Sequence, residues 1–296
     1  MNENIAIIGG GPAGISTAIQ LRRYKIDPLL FEMHELGGLI RNAWNIENYL
    51  GFPYGISGRR FVELLKEQVE RYDIRAHYEK VEYLDYNGKN FLIRTPESEY
   101  KADIVVIASG TKPKRFDIAE GLPEALRRKI LYEISPILDV KNKVIAIVGA
   151  GDAAFDYALN LSENNKVMLL NRGNTVRALP LLVERIKDNP NIVYHEDTVL
   201  IEIAKGKKRD LLLNTNKNNI EVDYLIAAIG RIARKDFYSS KVRNLEKYLI
   251  DKGILYLVGD VKNGRFRQTS IAVGDGINTA MKIYQRIGVK DNENHR

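Results

Sequence analysis

At 296 residues, 45% hydrophobic and 28% charged, the chain has the balance of a soluble globular protein, and at about 150 residues per domain its length points to two domains. Zero cysteines exclude disulfides, thiolate zinc sites, Cys-ligated iron–sulfur clusters and any dithiol redox centre built from this sequence, while the four histidines (34, 77, 195 and 295) stand too far apart to suggest a metal centre. The charge is +7, and basic runs such as Arg127-Arg128-Lys129 and Lys205 to Arg209 lack interleaved aromatics, which reads as a solvated face or a docking surface for an acidic partner and not as a nucleic-acid site.

No apolar run reaches the ~18 residues of a membrane span, and the first strand-like run, from Ile5, has no basic segment before it, so the cytoplasm is the expected compartment. Residues 5–14 read as a buried strand running into a glycine turn and a helix to about Tyr24. A second strand, Pro28 to Glu32, follows. Phe61, Leu65, Val69 and Tyr72 share one helical face. Hairpin segments span Tyr83 to Thr95 around Asn87-Gly88, and an apolar strand, Ala102 to Ala108, ends at Ser109-Gly110. The pattern loosens near Lys112 to Asp117, where a domain crossing is expected. A second strand–glycine–helix unit starts at Val144, followed by a strand at Lys166 to Arg172, a helix near Leu181 to Lys187, hairpin strands to Asn214 and an apolar strand, Tyr224 to Ile229, ending in Gly230. A second crossing is expected near Arg231 to Ser240. The remaining strand (Leu255 to Val261) and helix (Thr269 to Ile287) are too little for a domain and are expected to complete the first one.

The chain repeats itself at an offset of 140 residues. Residues 5–21, IAIIGGGPAGISTAIQL, lie over 145–161, IAIVGAGDAAFDYALNL, with about half the positions identical. One glycine motif is weak evidence; two, each after an apolar strand and opening a helix, are strong. The first glycine makes the tight turn, the second lets backbone N–H groups approach a pyrophosphate, and the third small residue lets helix pack on strand. These are Gly9, Gly11 and Gly14 in the first copy, and Gly149, Gly151 and Ala154 in the second. Glu32 closes the next strand of the first copy, where a carboxylate accepts hydrogen bonds from ribose hydroxyls. The same offset lands on Arg172, and Arg177 follows five residues on. Cations there suit a 2′-phosphate. One unit suits FAD and the other NADP(H).

The pieces Gly9-Gly-Gly-Pro-Ala-Gly14, Leu36-Gly-Gly-Leu39, Glu47-Asn-Tyr-Leu-Gly-Phe-Pro53, Ala108-Ser-Gly110, Gly149-Ala-Gly-Asp152, Gly259-Asp260 and Arg267-Gln-Thr269 resemble those of the low-molecular-weight thioredoxin reductase family over nearly the whole chain. The resemblance implies a discontinuous FAD domain of residues 1–115 and 238–296, with an NAD(P) domain of 116–237 inserted in it, both α/β and Rossmann-like in three layers. It implies FAD contacts at Gly9, Gly11, Pro12, Ala13, Gly14, Glu32, Gly38, Leu39, Asn48, Val81, Ser109, Gly110, Gly259, Asp260, Gln268 and Thr269. In the family Asn48 reaches the flavin, Gly259-Asp260 holds ribitol and pyrophosphate, and Gln268 with Thr269 lies at the pyrimidine edge, where a helix N-terminus stabilises negative charge. It implies nicotinamide-nucleotide contacts, NADP(H) or NAD(H), at Gly149, Gly151, Asp152, Ala153, Arg172, Arg177 and Gly230.

The sequence departs from the family in two places. Tyr132-Glu-Ile-Ser135 stands where Cys-x-x-Cys is expected, and Asn171-Arg-Gly-Asn-Thr-Val-Arg177 keeps two of the three arginines of the NADPH motif. Cysteine-less relatives include ferredoxin–NADP reductases of the thioredoxin-reductase type. Trp44 reads as a packing residue in preference to a ring against the cofactor, and Glu133 as a solvated loop residue in preference to a proton carrier. Asp152 could cap its helix. No side chain is assigned a catalytic role, because hydride transfer needs orientation more than an acid or base. The expected activity is electron transfer from NAD(P)H through FAD to an external acceptor, a ferredoxin-like acidic carrier favoured, by a homodimer. Oxygen, a quinone or a partner disulfide stay open as acceptors. The alternative is a non-catalytic or redox-sensing paralogue that keeps FAD.

Overall fold

The computed structural model describes residues 3–293, with side chains through residue 288; residues 1–2 and 294–296, at the ends of the expected discontinuous domain, lie outside. The chain divides into two compact units. Unit 1 comprises Met1–Arg41, Glu47–Lys112 and Ile232–Arg296, and unit 2 comprises Asn42–Ile46 and Pro113–Arg231. No helix among the described residues is long and apolar enough to cross a membrane.

In unit 1, strand β1 (Ile5–Ile8), helix α1 (Pro12–Arg23) and strand β2 (Leu29–Phe31) form the expected opening. The five-stranded sheet runs Leu255–Leu257, Ile104–Ile107, β1, β2, Ala76–His77, with every pair parallel. Its central strands are buried along their whole length, as a parallel sheet covered on both faces requires. An antiparallel meander of Tyr83–Tyr86, Phe91–Arg94 and Glu99–Ala102 adds Leu84, Phe91 and Ile93 to the core. Helix Gly58–Arg71 starts where the Ser57 side chain accepts the Arg60 amide and buries Phe61, Leu65 and Val69 of the expected stripe, whereas Tyr72 lies just past the helix as its half-buried C-cap.

Unit 2 builds the same layout. Strand β3 (Val144–Val148), helix α2 (Asp152–Ser162) and strand β4 (Lys166–Leu170) lead a parallel sheet ordered Ile192–His195, β4, β3, Tyr224–Ala227, Ile130–Leu131. Its meander is Leu200–Lys205, Leu211–Thr215 and Asn219–Val222. Both units are therefore Rossmann-like α/β folds. They differ in the source of the fifth strand, which comes from the far C-terminal side in unit 1 and from before β3 in unit 2.

In unit 1 the last helix, Thr269–Glu293, packs along α1. A β-carbon at Gly276 would stand 2.1 Å from Ser16 Oγ and 2.4 Å from the Ala13 carbonyl oxygen. Ser16 is itself fixed, donating to the Ala13 and Val273 carbonyls at 3.1 Å each. In unit 2 the segment Asn42–Ile46 lies on α2. Asn42 Oδ1 accepts the amides of Ile134 (3.1 Å) and Ser135 (2.8 Å), and Trp44 donates its amide to Asp156 (3.1 Å) and its indole N–H to Glu163 (2.8 Å). The Arg185 guanidinium lies 5.2 Å from the Trp44 ring. Trp44 is thus a packing residue held at both polar ends. Burial raises the Asp156 carboxyl to about 6, the Trp44 amide opposing and the Asp152 charge reinforcing the shift.

Two outcomes test this packing. Gly276→Ala should destabilise the protein by about 1–3 kcal/mol in a denaturant melt, since backbone must move to admit a methyl group. Gly274→Ala, with nothing within 4 Å of the added carbon, should be neutral or stabilising by up to ~1 kcal/mol through helix propensity. For Asp156 the folded state binds the extra proton between the unfolded value of about 3.9 and the folded value, so its contribution to stability falls as pH rises through that window and stays low above it. Asp156→Asn should therefore stabilise by roughly 1–3 kcal/mol at pH 8 and by much less at pH 4. Parallel pH profiles for wild type and variant would contradict this.

Candidate functional site: two glycine turns

At the end of β1 the chain turns at Gly9, which has φ +116°, and a β-carbon there would stand 2.3 Å from the Ala108 carbonyl oxygen. One at Gly14 would stand 1.8 Å from the Gly9 oxygen, so only glycine lets α1 begin this close to the turn. Gly11 is the N-cap of α1 and no side chain caps it. Pro12 at the first helical position lacks an N–H, which leaves the amides of Ala13 and Gly14 to point out of the N-terminus with the positive end of the helix dipole. Across this opening the closest neighbour of a Gly11 β-carbon is Gly38 Cα at 4.0 Å. Gly38 and the half-buried Leu39 open the short turn Gly38–Asn42, pinned by the Gly37 amide on the Gly10 carbonyl at 2.8 Å.

Glu32 stands beside this opening. One carboxylate oxygen accepts the Gly10 amide at 2.7 Å and the other the His34 amide at 3.0 Å. A carboxylate offers about four acceptor positions, so capacity remains for ribose hydroxyls while the turn is held. Gly259 packs on the same helix end, a β-carbon there falling 2.8 Å from Ala13 Cβ, and Asp260 follows it, half-buried, in the turn Gly259–Val261. Asn48 Nδ2 donates to Gln268 Oε1 at 3.0 Å, and Ser270 Oγ to the Asn48 carbonyl at 3.4 Å. Residues 220 apart in sequence thereby meet where Thr269 opens the last helix. Ser109 Oγ donates to the Arg234 carbonyl at 2.6 Å, and the Arg234 amide to the Gly110 carbonyl at 3.1 Å. Val81 is different, because its side chain is part of the unit 1 core.

Sequence reasoning missed two residues here. Asp275 accepts the Gly259 amide (3.1 Å), Asn263 Nδ2 (2.7 Å) and Lys262 Nζ (3.0 Å). Burial alone would raise its carboxyl, but the bonds from Asn263, Lys262 and Gly259 outweigh that and hold it below the usual range. Its signal was Gly274-Asp-Gly276 inside a helix. Arg234 lies beside Met33, one residue past Glu32, with a guanidinium nitrogen 2.9 Å from the sulfur.

Unit 2 repeats the turn with a different rim. Gly149, at φ +149°, would place a β-carbon 2.5 Å from the Ala228 oxygen, whereas one at Gly151 would meet nothing within 4 Å. Gly151 is the uncapped N-cap of α2, and the exposed Ala153 and buried Ala154 fill its first turn. Asp152 does not cap this helix. Its carboxylate instead accepts the Leu179 amide at 2.8 Å, tying the helix start to the loop after β4, because its place inside the first turn aims it outward. The Arg177 amide donates to the Ala150 carbonyl at 2.8 Å, which fixes Arg177 backbone beside Gly151, and the side chains of Arg172 and Arg177 are exposed. Buried Asn171 shapes that loop through Thr175 O (3.1 Å) and Tyr194 Oη (2.8 Å). Gly230 is exposed and its carbonyl accepts the Lys114 amide at 3.0 Å. Glu133 is half-buried and pairs with Arg231 at 3.1 Å, so it is not the solvated loop residue expected.

Each turn thus offers open space in front of an uncapped helix N-terminus, the donor set that fits a diphosphate. The rim is acidic at Glu32 in one and basic at Arg172 and Arg177 in the other.

Comparison with known proteins agrees with this arrangement. Residues 3–276 match the family model described as pyridine nucleotide-disulphide oxidoreductase. The chain is 29% identical to NADPH-dependent thioredoxin reductase 3 of Arabidopsis thaliana over 94% of its own length and 57% of that longer protein. It is 25% identical to the thioredoxin reductase of Chlamydia pneumoniae, covering 97% of this chain and all (100%) of that one. Among solved structures, Lactococcus lactis thioredoxin reductase superposes with a TM-score of 0.81 at 25% identity, over 96% of this chain and 98% of that chain. The chain belongs to the pyridine nucleotide-disulphide oxidoreductase family, in its thioredoxin-reductase-like branch, whose members are FAD- and NAD(P)H-dependent oxidoreductases.

Proposed function

We propose that unit 1 holds FAD, that unit 2 holds NADP(H), and that the protein passes electrons from NADPH to an external acceptor, a small acidic one-electron carrier of the ferredoxin kind. The observation that carries this reading is the change of rim between two like turns, from Glu32 to Arg172 with Arg177, in a sequence with zero cysteines. In unit 1 the amides of Ala13 and Gly14 would take the diphosphate and Glu32 the adenosine ribose. Asn48, Gln268 and the N-terminus at Thr269 would hold the flavin edge, and Gly259 with Asp260 the chain between. In unit 2 the amides of Asp152 and Ala153 would take the second diphosphate and the two arginines the 2′-phosphate.

FAD, when bound, supplies a ring that accepts a hydride and releases electrons singly. One NADPH and two oxidised carriers would then give NADP⁺, a proton and two reduced carriers. With no cysteine to form a dithiol, the family's internal disulfide relay has no counterpart in this sequence. A homodimer is the assembly we propose, and the exposed Ile277, Met281 and Tyr284 of the last helix, at i, i+4 and i+7, offer an apolar stripe for it.

Two measurements test the reading. Anaerobic NADPH should bleach the flavin band near about 450 nm; a protein that keeps its colour would favour the non-catalytic alternative. Arg172→Ala should raise the NADPH dissociation constant about tenfold, equivalent to ~1.4 kcal/mol, the low end for a charge-assisted bond at an exposed position. NADH affinity and FAD content should not change. Equal loss of both nucleotides would make Arg172 a structural residue.

A further inference from the structure

The Arg234 side chain crosses the carboxyl edge of the unit 1 sheet. Its backbone is held just past the strand Ile104–Ile107, where its amide donates to the Gly110 carbonyl at 3.1 Å and its carbonyl accepts Ser109 Oγ at 2.6 Å. Its guanidinium reaches Met33, just past the end of β2, with a nitrogen 2.9 Å from the sulfur. These two strands flank β1, and all three run parallel. Two strand spacings are about 10 Å, and the Arg234 and Met33 side chains close that gap between them. They therefore pass the end of β1, where Gly9 turns towards α1. Ligands of open parallel α/β sheets lie outside this edge.

The chain gives this guanidinium poor partners. A thioether sulfur is a weak acceptor, and Arg234 Nε is buried with no hydrogen-bond partner. Three other half-buried arginines of unit 1 each have a carboxylate: Arg22 pairs with Asp27 at 3.1 Å, Arg41 with Glu35 at 3.1 Å and Arg286 with Glu3 at 2.7 Å. Among the described residues no carboxylate pairs with Arg234. Glu32, one residue before Met33, bonds the Gly10 and His34 amides instead. Asp236 pairs with Lys112 at 3.2 Å. Burial would raise the Asp236 carboxyl, but its own amide, Lys112 and, at longer range, Arg234 hold it below the usual range. A half-buried cation with an unmatched donor costs stability on its own. It fits a ligand that brings negative charge and oxygen acceptors.

FAD has such a group. Its diphosphate is a dianion, against which the N-terminus of α1 sets only about half an elementary charge, and Glu32 adds a further negative charge to the rim. An arginine fork matches phosphate oxygens in both charge and geometry. We propose that Arg234 binds the diphosphate of FAD, as a second anion contact beside the amides of Ala13 and Gly14. The proposal rests on the reading that unit 1 holds FAD. It adds a residue that lies in the second domain crossing, outside both glycine motifs, so that this crossing carries a cofactor contact as well as a chain connection.

The test uses the FAD-loaded protein. A dilution series, with free flavin separated by ultrafiltration, gives the FAD dissociation constant, and displacement of FAD by added ADP gives that of the adenosine diphosphate half. Arg234→Ala should weaken FAD and ADP by the same factor, about tenfold or more. Arg234→Lys keeps the charge and should recover most of that loss, whereas Arg234→Gln keeps a planar donor without charge and should match Arg234→Ala. Rising salt should narrow the gap between wild type and Arg234→Ala. A merely structural arginine would not sort the variants by charge. Unchanged FAD affinity in Arg234→Ala, or equal loss in Arg234→Ala and Arg234→Lys, would overturn the proposal. So would a loss of FAD affinity with ADP unaffected, since the contact would then lie on the flavin half. Glu32→Ala separates this from the reading beneath it. If Glu32→Ala weakens FAD and Arg234→Ala does not, the arginine contact alone is wrong. If neither does, FAD does not sit in unit 1.

Discussion

A β-carbon at position 14 would stand 1.8 Å from the Gly9 carbonyl oxygen, and unit 1 is organised around that closeness. Because no side chain intervenes, α1 starts directly behind the turn and its unpaired amides face the space beyond β1. Other contacts then fix this corner from the outside. Glu32 bonds the Gly10 amide, Gly259 meets Ala13, and Gly276 lets the last helix lie against Ser16 and Thr17. In unit 2 the first glycine is equally crowded, against Ala228, yet position 154 admits a methyl group whose carbon stands 3.3 Å from a β-carbon placed on Gly149. One backbone geometry serves two rims of opposite charge.

Much of this was legible because it is local. The glycine turns, the strands before them and the amphipathic helix ending at Arg71 depend on spacing within about twenty residues, and both units follow the pattern read from the sequence. What was hidden depends on partners far along the chain. Asp275 matters because it reaches the Gly259 amide and two side chains of the turn after it, and its flanking Gly274 and Gly276 mark the position as unusual in a helix without naming those partners. Asp152 looked like a helix cap, but its position one residue past Gly151 commits it to the Leu179 amide. Asn171, which opens the motif that carries the two arginines, shapes their loop through the Thr175 carbonyl and the Tyr194 hydroxyl. Glu133 looked solvated because its partner, Arg231, is 98 residues away in sequence. The Asn48–Gln268 contact was legible only through resemblance to the thioredoxin reductases.

The lack of cysteine changes what the rest of the molecule must do. In the function we propose, a chain with two glycine turns and zero cysteines passes electrons from the nicotinamide to a separate molecule. The groups that would manage that exit are then surface groups, selected by charge and exposure, not a buried reactive side chain. That reading assigns no side chain as acid or base and fits the chain's net charge of +7.

The central claim is that two like turns hold two different dinucleotides, and a crystal structure of the protein with NADP⁺ tests it most directly. The account predicts the FAD diphosphate on the amides of Ala13 and Gly14 with its ribose on Glu32, and the NADP⁺ diphosphate on the amides of Asp152 and Ala153 with its 2′-phosphate between Arg172 and Arg177. NADP⁺ lying elsewhere while Gly151 stays empty, or a flavin nucleotide seated in unit 2, would contradict it.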